Sequence, residues 1–219
     1  PGGPGGSGVD FVLYGGPFLF TPEVRARFDL IGFDPRGVSR SRPLRCFESE
    51  DQWDGAFTPF AFPLSAADVA AQKAANHYLI SHCDDRAGAI IDHMSTANVA
   101  RDMDRLRIAL GEGKLNYVGY SYGTYLGTTY ANLFPNNFRA LVVDGVLDPV
   151  AWTTGAPGTQ DLPFSSRLRS DAGAQASLMR YFQLCNTDGP AACAIAPNAA
   201  QRYSAIAATL RDHPVVVDP

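Results

Sequence analysis

Apolar side chains in the middle of the chain repeat with the spacing of a helix. They fall at i, i+4, i+7 and i+11, on Val99, Met103, Leu106 and Leu110. This stripe predicts an amphipathic helix over residues 99–110 that ends at Gly111. Ser65 favours the start of another helix, with alanine, valine and leucine on one face through about residue 82.

Short continuous apolar runs predict buried strands. They occupy residues 28–34, 115–120 and 139–144, and a helix is predicted between the last two, over residues 122–133. Residues 9–14 are compatible with a strand or a short helix. Strands that alternate with helices favour a mostly parallel sheet flanked by helices, which is an α/β fold.

The pattern changes after residue 150. Residues 151–219 are rich in alanine, helical and loop-like, so we expect a helical layer separate from an α/β core in residues 1–150. The chain opens on a glycine-rich loop, residues 1–8, with no strand before it. Because such a loop normally follows a strand, we expect the sequence to be a fragment that lacks the first strands and the C-terminal part of the domain.

The composition narrows the classes of function. Of the 219 residues, 46% are hydrophobic and 18% charged, which is enough apolar content for a sizeable core. The formal net charge is −4 and no run of lysine or arginine occurs, which argues against a nucleic-acid partner. No apolar run reaches the roughly 18 residues of a membrane-spanning helix, so no membrane span is predicted.

The four cysteines follow no zinc-binding pattern, because no CxxC or nearby histidine pair occurs. We expect Cys46 to pair with Cys83, and Cys185 to pair with Cys193 across a short loop of glycine and proline. Four reduced, buried thiols are the alternative. Two disulfides would indicate an oxidising compartment.

A serine lies between the strand predicted at 115–120 and the helix predicted at 122–133, in the sequence Gly119-Tyr120-Ser121-Tyr122-Gly123. A tight strand-to-helix turn exposes the serine hydroxyl and requires small residues two positions before and two after it. The main-chain N–H of Tyr122 would point at a developing oxyanion, next to the positive end of the helix. This nucleophile elbow predicts that Ser121 is a catalytic nucleophile. A bystander serine in a tight turn is the alternative.

The glycine-rich loop at residues 2–8 is a candidate for the second half of an oxyanion hole. Its bare backbone can approach a substrate closely, and we expect the N–H of Gly3 to be the second donor. Phosphate binding or a purely structural turn are the alternatives for this loop. The loop lacks the Gly-Lys-Ser/Thr ending of a P-loop.

Several motifs together resemble one family. These motifs are residues 2–8, 33–41, 119–124 and 143–149. They resemble the secreted tripeptidyl aminopeptidases of actinomycetes, which are α/β-hydrolases similar to prolyl iminopeptidases. The resemblance covers residues 1 to about 150, and the remainder looks like part of the family's helical cap.

The resemblance implies a serine exopeptidase that releases short peptides from a free N-terminus by acyl transfer through Ser121. It implies no metal, no cofactor and a secreted or cell-envelope location. The turn of Asp34, Pro35, Arg36 and Gly37 is expected to have a structural role, tying this segment to neighbouring loops.

A triad of this fold follows the order serine, acid, histidine. His213 is the only histidine after Ser121, and we interpret it as a surface or helix-terminal residue. Asp144 and Asp148 follow the last predicted strand, where some hydrolases place the acid, although turn or cap roles are the default. We therefore expect the acid and histidine to lie beyond Pro219, and the chain alone to have little or no peptidase activity.

Structural roles are expected for the other histidines, which are His77, His82 and His93. In the cap-like segment, acidic side chains are candidates for holding a substrate ammonium group: Asp161, Asp171 and Asp188. Two other functions remain open. One is an esterase or lipase acting on small esters, and the other is a non-catalytic fragment or binding module that keeps the fold.

Overall fold

The computed structural model describes residues 1–58, 63 and 65–215, which fall into two compact units. The first unit is Pro1–Leu147 and the second is Asp148–Pro219. This division lies three residues before the boundary placed at residue 150 by the sequence pattern.

The described residues of the first unit form helices and two strands. In chain order they are α1 (Gly8–Asp10), a π-helical segment (Phe11–Gly15), α2 (Gly16–Leu19), α3 (Pro22–Arg25), α4 (Glu50–Asp54), α5 (Ala66–Arg86), a 3-10 helix (Gly88–His93), α6 (Thr96–Ala109), β1 (Leu115–Tyr120), α7 (Tyr122–Leu133) and β2 (Phe138–Asp144). The predicted helices and the last two predicted strands are therefore present, with α5 four residues longer than expected.

Local side chains explain where the long helices begin. The Ser65 hydroxyl accepts a hydrogen bond from the N–H of Asp68, whose carboxylate accepts one from the N–H of Ser65. This capping box satisfies two main-chain donors that the start of α5 would otherwise leave unpaired. At the start of α6, the Ser95 side chain accepts from the N–H of Asn98 in the same way.

The two strands pair in parallel, and α7 connects them. Tyr117 of β1 lies opposite Leu141 of β2, and Tyr120 lies opposite Asp144 at the carboxyl ends of the strands. Because the crossover passes through α7, the turn from β1 into this helix lies at the carboxyl end of the sheet. This is the edge at which α/β proteins place their ligand sites.

A core forms between α6 and α7. Val99, Ala100 and Met103 of α6 pack with Leu126 and Tyr130 of α7, and all five are buried. The predicted apolar stripe is only half correct. Leu106, in the second half of α6, and Leu110, which caps its C-terminus, are 38% and 53% exposed, because the buried contact with α7 uses the earlier part of the helix.

Two other sequence expectations resolve differently. Residues 9–14 are helical, in α1 and the π-helical segment. The strand predicted at residues 28–34 is wrong, because no strand among the described residues pairs with this segment. Its main chain packs instead against α1, so tightly that a β-carbon on Gly8 would lie 2.0 Å from the carbonyl oxygen of Phe33.

The second unit is helical throughout its described residues, 148–215. Its helices are α8 (Pro149–Trp152), α9 (Phe164–Arg167), α10 (Ser170–Asp188) and α11 (Ala199–Asp212). Phe182 and Cys185 of α10 form its buried core with Ala196 and Ala199. The helical character agrees with the sequence pattern, and the assignment of this unit as a cap remains a prediction.

Each unit contains one disulfide. Cys46 is joined to Cys83 with an S–S distance of 2.08 Å, and Cys185 to Cys193 with 2.02 Å. These are the two pairs expected from the sequence. Within the described part of the chain, no helix is both long and apolar enough to cross a membrane.

Candidate active site

Ser121 occupies a strained turn between β1 and α7. Its φ of 53° and ψ of −121° place a non-glycine residue in a sparsely populated part of backbone space. Such a conformation costs about 1–3 kcal/mol and persists only where its surroundings hold it. The turn leaves the Ser121 side chain exposed, as a nucleophile requires.

The flanking glycines are required by close contacts across this turn. A β-carbon on Gly119 would lie 2.4 Å from the carbonyl oxygen of Gly123, which is shorter than any ordinary contact. A β-carbon on Gly123 would lie 3.0 Å from the carbonyl oxygen of Pro1, in the glycine-rich loop. The structure therefore explains both glycines of the GxSxG sequence by steric fit.

Main-chain hydrogen bonds fix both sides of Ser121. Its N–H donates to the carbonyl oxygen of Asp144 at 2.9 Å, which attaches the turn to the end of β2. Its carbonyl oxygen accepts from the N–H of Thr124 at 2.9 Å and from the Thr124 hydroxyl at 2.6 Å. These bonds hold the positive φ of Ser121 against its intrinsic cost.

Tyr122 follows the serine as the first residue of α7. Its N–H lies in the first turn of α7, at the positive end of the helix dipole. Its phenol hydroxyl is hydrogen-bonded to the hydroxyl of Thr96, at the start of α6. This contact ties the residue after Ser121 to the neighbouring helix.

The glycine-rich loop lies directly against Ser121. A β-carbon on Gly2 would lie 3.1 Å from Ser121 Cβ and 3.2 Å from Ser121 Oγ. Gly3 follows with a φ of +119°, a conformation that side chains rarely adopt. Gly2 of this loop therefore lies beside Ser121. The oxyanion role of the loop, with Gly3 as the donor, remains a prediction.

Asp34 is buried, with 7% exposure, and is hydrogen-bonded to the glycine-rich loop. Its Oδ1 accepts hydrogen bonds from the Ser7 hydroxyl at 2.6 Å and from the N–H of Val9 at 3.3 Å, while Oδ2 accepts from the N–H of Arg40 at 3.0 Å. The bond from Ser7 is the main cause that lowers the pKa of the Asp34 carboxyl, followed by the two main-chain donors. Asp34 is therefore held ionised as a structural anchor.

Arg36 extends this support to α6. Its guanidinium binds Asp102 through two hydrogen bonds of 2.6 and 2.7 Å and donates a third to the carbonyl oxygen of His93 at 3.1 Å. The hydrogen bond to Asp102 raises the pKa of Arg36. Asp34 and Arg36 thus tie their turn to neighbouring segments, as expected from the sequence.

A cavity of about 280 Å³ lies beside the elbow within the first unit. The glycine-rich loop and Arg36 line one side, and side chains of α6 and α7 line the other, among them Val99, Tyr122 and Leu126. The wall is mostly apolar, with the main chain of the glycine loop exposed to it. Tyr122, which follows Ser121, and Gly2, which packs against the Ser121 side chain, are both among the lining residues.

The four histidines lie on helices or at helix ends. His82 is on α5, where its Nδ1 contacts the carbonyl oxygen of Tyr78, and His93 ends the 3-10 helix. His77 is on α5, and His213 follows α11 in the second unit. In the described part of the first unit, no histidine hydrogen-bonds to Ser121.

The two candidate acids, Asp148 and Asp144, form different kinds of hydrogen bond. The Asp148 carboxylate accepts hydrogen bonds from the N–H groups of Val150 and Ala151 at 2.8 and 3.0 Å, which makes it the N-cap of α8. Asp144 instead serves the site through its main chain, and its side chain is exposed. In the described part of the chain, no group of histidine, cysteine or acidic side chains is arranged to hold a metal ion.

Comparison with known proteins assigns the chain to a family. The family model for the α/β-hydrolase fold matches residues 1–177 of the sequence. The chain belongs to the α/β-hydrolase fold family.

Three proteins of this family have sequences similar to this chain. A tripeptidyl aminopeptidase of Streptomyces lividans is 44% identical over 153 residues, or 68% of this α/β-hydrolase chain and 28% of the relative. The serine protease Hip1 of Mycobacterium tuberculosis is 39% identical over 187 residues, 84% of this chain and 34% of the relative. A carboxylesterase B of Mycobacterium tuberculosis is 37% identical over 219 residues, 98% of this chain and 40% of the relative.

The resemblance to tripeptidyl aminopeptidases expected from the sequence is therefore confirmed, and the chain is related to serine peptidases. It spans 28% to 40% of the length of these three relatives.

Sequence reasoning missed two residues that the structure places at the elbow. Gly2 contacts Ser121, and Thr124 hydrogen-bonds to it. The small polar residue three positions after the serine was a visible signal for Thr124, because Ser and Thr side chains often bond a main-chain group within one helical turn. The contact of Gly2 depends on long-range packing and has no local signal.

Proposed function

We propose that this chain carries the nucleophile of a serine exopeptidase that releases short peptides from substrates with a free N-terminus. The single observation that carries the proposal is the strained, exposed Ser121, with Gly2 of the glycine-rich loop packed against its side chain. The similarity to a tripeptidyl aminopeptidase supports the exopeptidase class.

The proposed reaction is acyl transfer. Ser121 Oγ attacks the scissile carbonyl carbon, and its proton passes to a histidine base as the O–C bond forms. The N–H groups of Tyr122 and Gly3 stabilise the oxyanion of the tetrahedral intermediate. The C–N bond then breaks, the amine leaves with the proton from the histidine, and water hydrolyses the acyl-enzyme by the same steps. No metal or cofactor takes part in this scheme.

We propose that residues outside this 219-residue stretch supply the acid and the histidine. The support is that no histidine in the described part of the first unit hydrogen-bonds to Ser121, together with the greater length of the relatives. Removing triad members from a serine protease costs on the order of 10⁴- to 10⁶-fold in kcat. The stretch alone is therefore proposed to have little or no peptidase activity.

The second unit is proposed to be part of a helical cap that selects substrates. Its exposed carboxylates, on Asp161, Asp171 and Asp188, are candidates for holding the substrate ammonium group. The two disulfides and the similarity to Hip1 support an extracytoplasmic protein, and we propose secretion or a cell-envelope location.

Ester hydrolysis is the second candidate function. The similarity to a carboxylesterase over almost all of the chain favours it, and the same elbow can attack an ester carbonyl. The leaving group and the required substrate charge distinguish the two reactions, because an aminopeptidase needs the free ammonium group.

The test compares three substrates with the full-length protein: a tripeptidyl p-nitroanilide, its N-acetylated form, and p-nitrophenyl butyrate. The exopeptidase proposal predicts turnover of the free tripeptide and loss of most of it on acetylation. Ester turnover without peptide turnover would favour the esterase. No turnover of any substrate, together with no labelling by a fluorophosphonate, would favour a non-catalytic role.

Ser121→Ala is the control for each rate. Hydrolysis that survives this substitution would contradict the role of Ser121 whichever substrate is preferred.

A further inference from the structure

Thr124 is a buried polar residue in the first turn of α7, and its side chain is fully enclosed. Its hydroxyl donates a hydrogen bond to the carbonyl oxygen of Ser121 at 2.6 Å. The same hydroxyl accepts a hydrogen bond from the N–H of Leu147 at 3.0 Å. One side-chain oxygen therefore bridges two main-chain segments.

The two segments are the elbow and the chain that follows β2. The Ser121 N–H already binds the carbonyl oxygen of Asp144, and a β-carbon on Gly145 would lie 3.6 Å from Ser121 N. Residues 144–147 therefore run alongside the nucleophile. Thr124 closes this arrangement, since its hydroxyl binds the elbow on one side and the far end of the segment on the other.

The hydrogen bonds of Thr124 act on Ser121, the residue whose backbone conformation is strained. The direction of the Ser121 carbonyl group depends on the ψ angle of this residue. Thr124 fixes that direction with two donors to the carbonyl oxygen, its N–H at 2.9 Å and its hydroxyl at 2.6 Å. A helix supplies an N–H at this position whatever the residue. The hydroxyl is the part that the sequence at position 124 adds.

A hydrophobic residue of the same shape would remove the acceptor of the partly buried Leu147 N–H. It would also leave the Ser121 carbonyl with the N–H of Thr124 as its one described donor. A buried donor without a partner draws the main chain toward water or another acceptor. The expected result is a small displacement of Ser121 relative to the glycine loop.

We propose that Thr124 is a positioning residue for the nucleophile: its hydroxyl fixes the elbow to the segment after β2, so that Ser121 Oγ is aligned with the oxyanion donors. This inference rests on the proposed role of Ser121. Thr124 touches no substrate in this account and acts through the main chain of Ser121.

The experiment compares two substitutions in the full-length protein. Thr124→Val keeps the shape and removes the hydroxyl, whereas Thr124→Ser keeps the hydroxyl and removes a methyl group. Thr129→Val is the matched control on the same helix, because the Thr129 hydroxyl donates to the carbonyl oxygen of Tyr125 at 2.8 Å and lies outside the site. Steady-state kcat and KM are measured with the tripeptidyl p-nitroanilide, or with p-nitrophenyl butyrate if only the ester is hydrolysed. Tm is measured for each variant.

Misplacing a reacting group by about 1 Å can cost on the order of 10²-fold in rate. We therefore expect Thr124→Val to lower kcat by at least about tenfold with KM changed by less than about threefold. Thr124→Ser should restore kcat to within about threefold of the parent protein, and Thr129→Val should match the parent in kcat and KM. If the valine variant does not fold, Thr124→Cys replaces it, because its thiol is a weak donor of similar size, and its kcat should fall between those of the serine variant and a tenfold loss.

Three results would overturn the proposal. They are a kcat of Thr124→Val equal to that of Thr129→Val, an equal loss in the serine and valine variants, and a change confined to KM. Failure of the proposed function is seen separately, as activity that survives Ser121→Ala. A protein that loses activity with Ser121→Ala but keeps it with Thr124→Val retains the proposed nucleophile and refutes only the positioning role.

Discussion

The N–H of Ser121 donates a hydrogen bond to the main-chain carbonyl oxygen of Asp144, with the two atoms 2.9 Å apart. The end of β1 is thereby attached to the end of β2 at the candidate nucleophile. This bond uses the main chain of Asp144 and leaves its carboxylate exposed. The position of Asp144 after the strand that follows α7 is therefore explained without a role for its side chain in catalysis.

We predict that Asp144→Asn changes kcat/KM of the full-length protein by less than about threefold, the effect of a surface substitution of about 0.5 kcal/mol. The main-chain bond to Ser121 is unaffected by this change. Loss of a triad acid, in contrast, lowers kcat by about 10⁴-fold. A loss of that size, measured with the same substrate, would make Asp144 the triad acid.

A second prediction concerns the contact between Gly2 and Ser121. A β-carbon at position 2 would lie 3.2 Å from Ser121 Oγ, so Gly2→Ala should displace the hydroxyl or the loop. We expect kcat to fall by about tenfold or more, since reaction rates are sensitive to displacements below 1 Å. Gly113→Ala is the control, because a β-carbon there meets no atom within 4 Å.

Steady-state kinetics of these two glycine variants decide the point. Equal rates for Gly2→Ala and the parent protein would show that the loop does not need a bare backbone at Ser121.

The success of the sequence predictions follows how local each signal is. The cap of α5, the elbow and β1 are encoded by nearby residues: Ser65, Gly119 and Gly123. Residues 28–34 have the apolar composition of a strand, but a strand also requires a pairing partner, which no local pattern supplies. Leu106 and Leu110 continue the helical stripe, but their exposure depends on how far α7 extends along α6.

The same reasoning separates the residues of the candidate site. Ser121 is recognisable because the turn geometry requires glycine two positions before it and two positions after it. The contacts of Gly2 and Thr124 are set by packing between segments that are far apart in sequence, so their roles became visible only in the structure. Within the described part of the first unit, no histidine hydrogen-bonds to Ser121, so the sequence offers no local partner with which the serine could be recognised.

A third prediction is that stability depends on pH through Asp34. Hydrogen bonds lower the pKa of this carboxyl in the folded state, led by the bond from Ser7. A depressed folded-state pKa contributes stability that is present above the unfolded value of about 3.9 and is lost as the pH falls through the folded value. The Tm of the parent protein should therefore decrease through this acid window.

Asp34→Asn should lower Tm at neutral pH and reduce its dependence on pH below about 5. The matched control is Asp29→Asn, at an exposed carboxylate. Parallel pH curves for the parent protein and Asp34→Asn would contradict the assignment of Asp34 as an ionised anchor of the glycine loop.

A fourth prediction concerns the disulfides. The bond between Cys46 and Cys83 closes a sequence separation of 37 residues, and the one between Cys185 and Cys193 closes 8. The chain-entropy model gives contributions of about 4 and about 2.5 kcal/mol for loops of these sizes. Cys46→Ala with Cys83→Ala should therefore destabilise the protein more than Cys185→Ala with Cys193→Ala, as measured by urea denaturation.

A thiol assay on the purified protein provides the direct check on bond formation. In denaturant without reductant, no thiol should react, whereas four should react after reduction. Four reactive thiols before reduction would refute both disulfides and remove the support for an oxidising compartment.

The identity of the nucleophile is tested most directly by labelling. The full-length protein is treated with a fluorophosphonate, which phosphonylates activated serines, and the modified residue is located by peptide mass spectrometry. We predict one adduct, on Ser121, that is absent from Ser121→Ala along with the hydrolase activity. An adduct on a different serine, retained in active Ser121→Ala protein, would contradict the account.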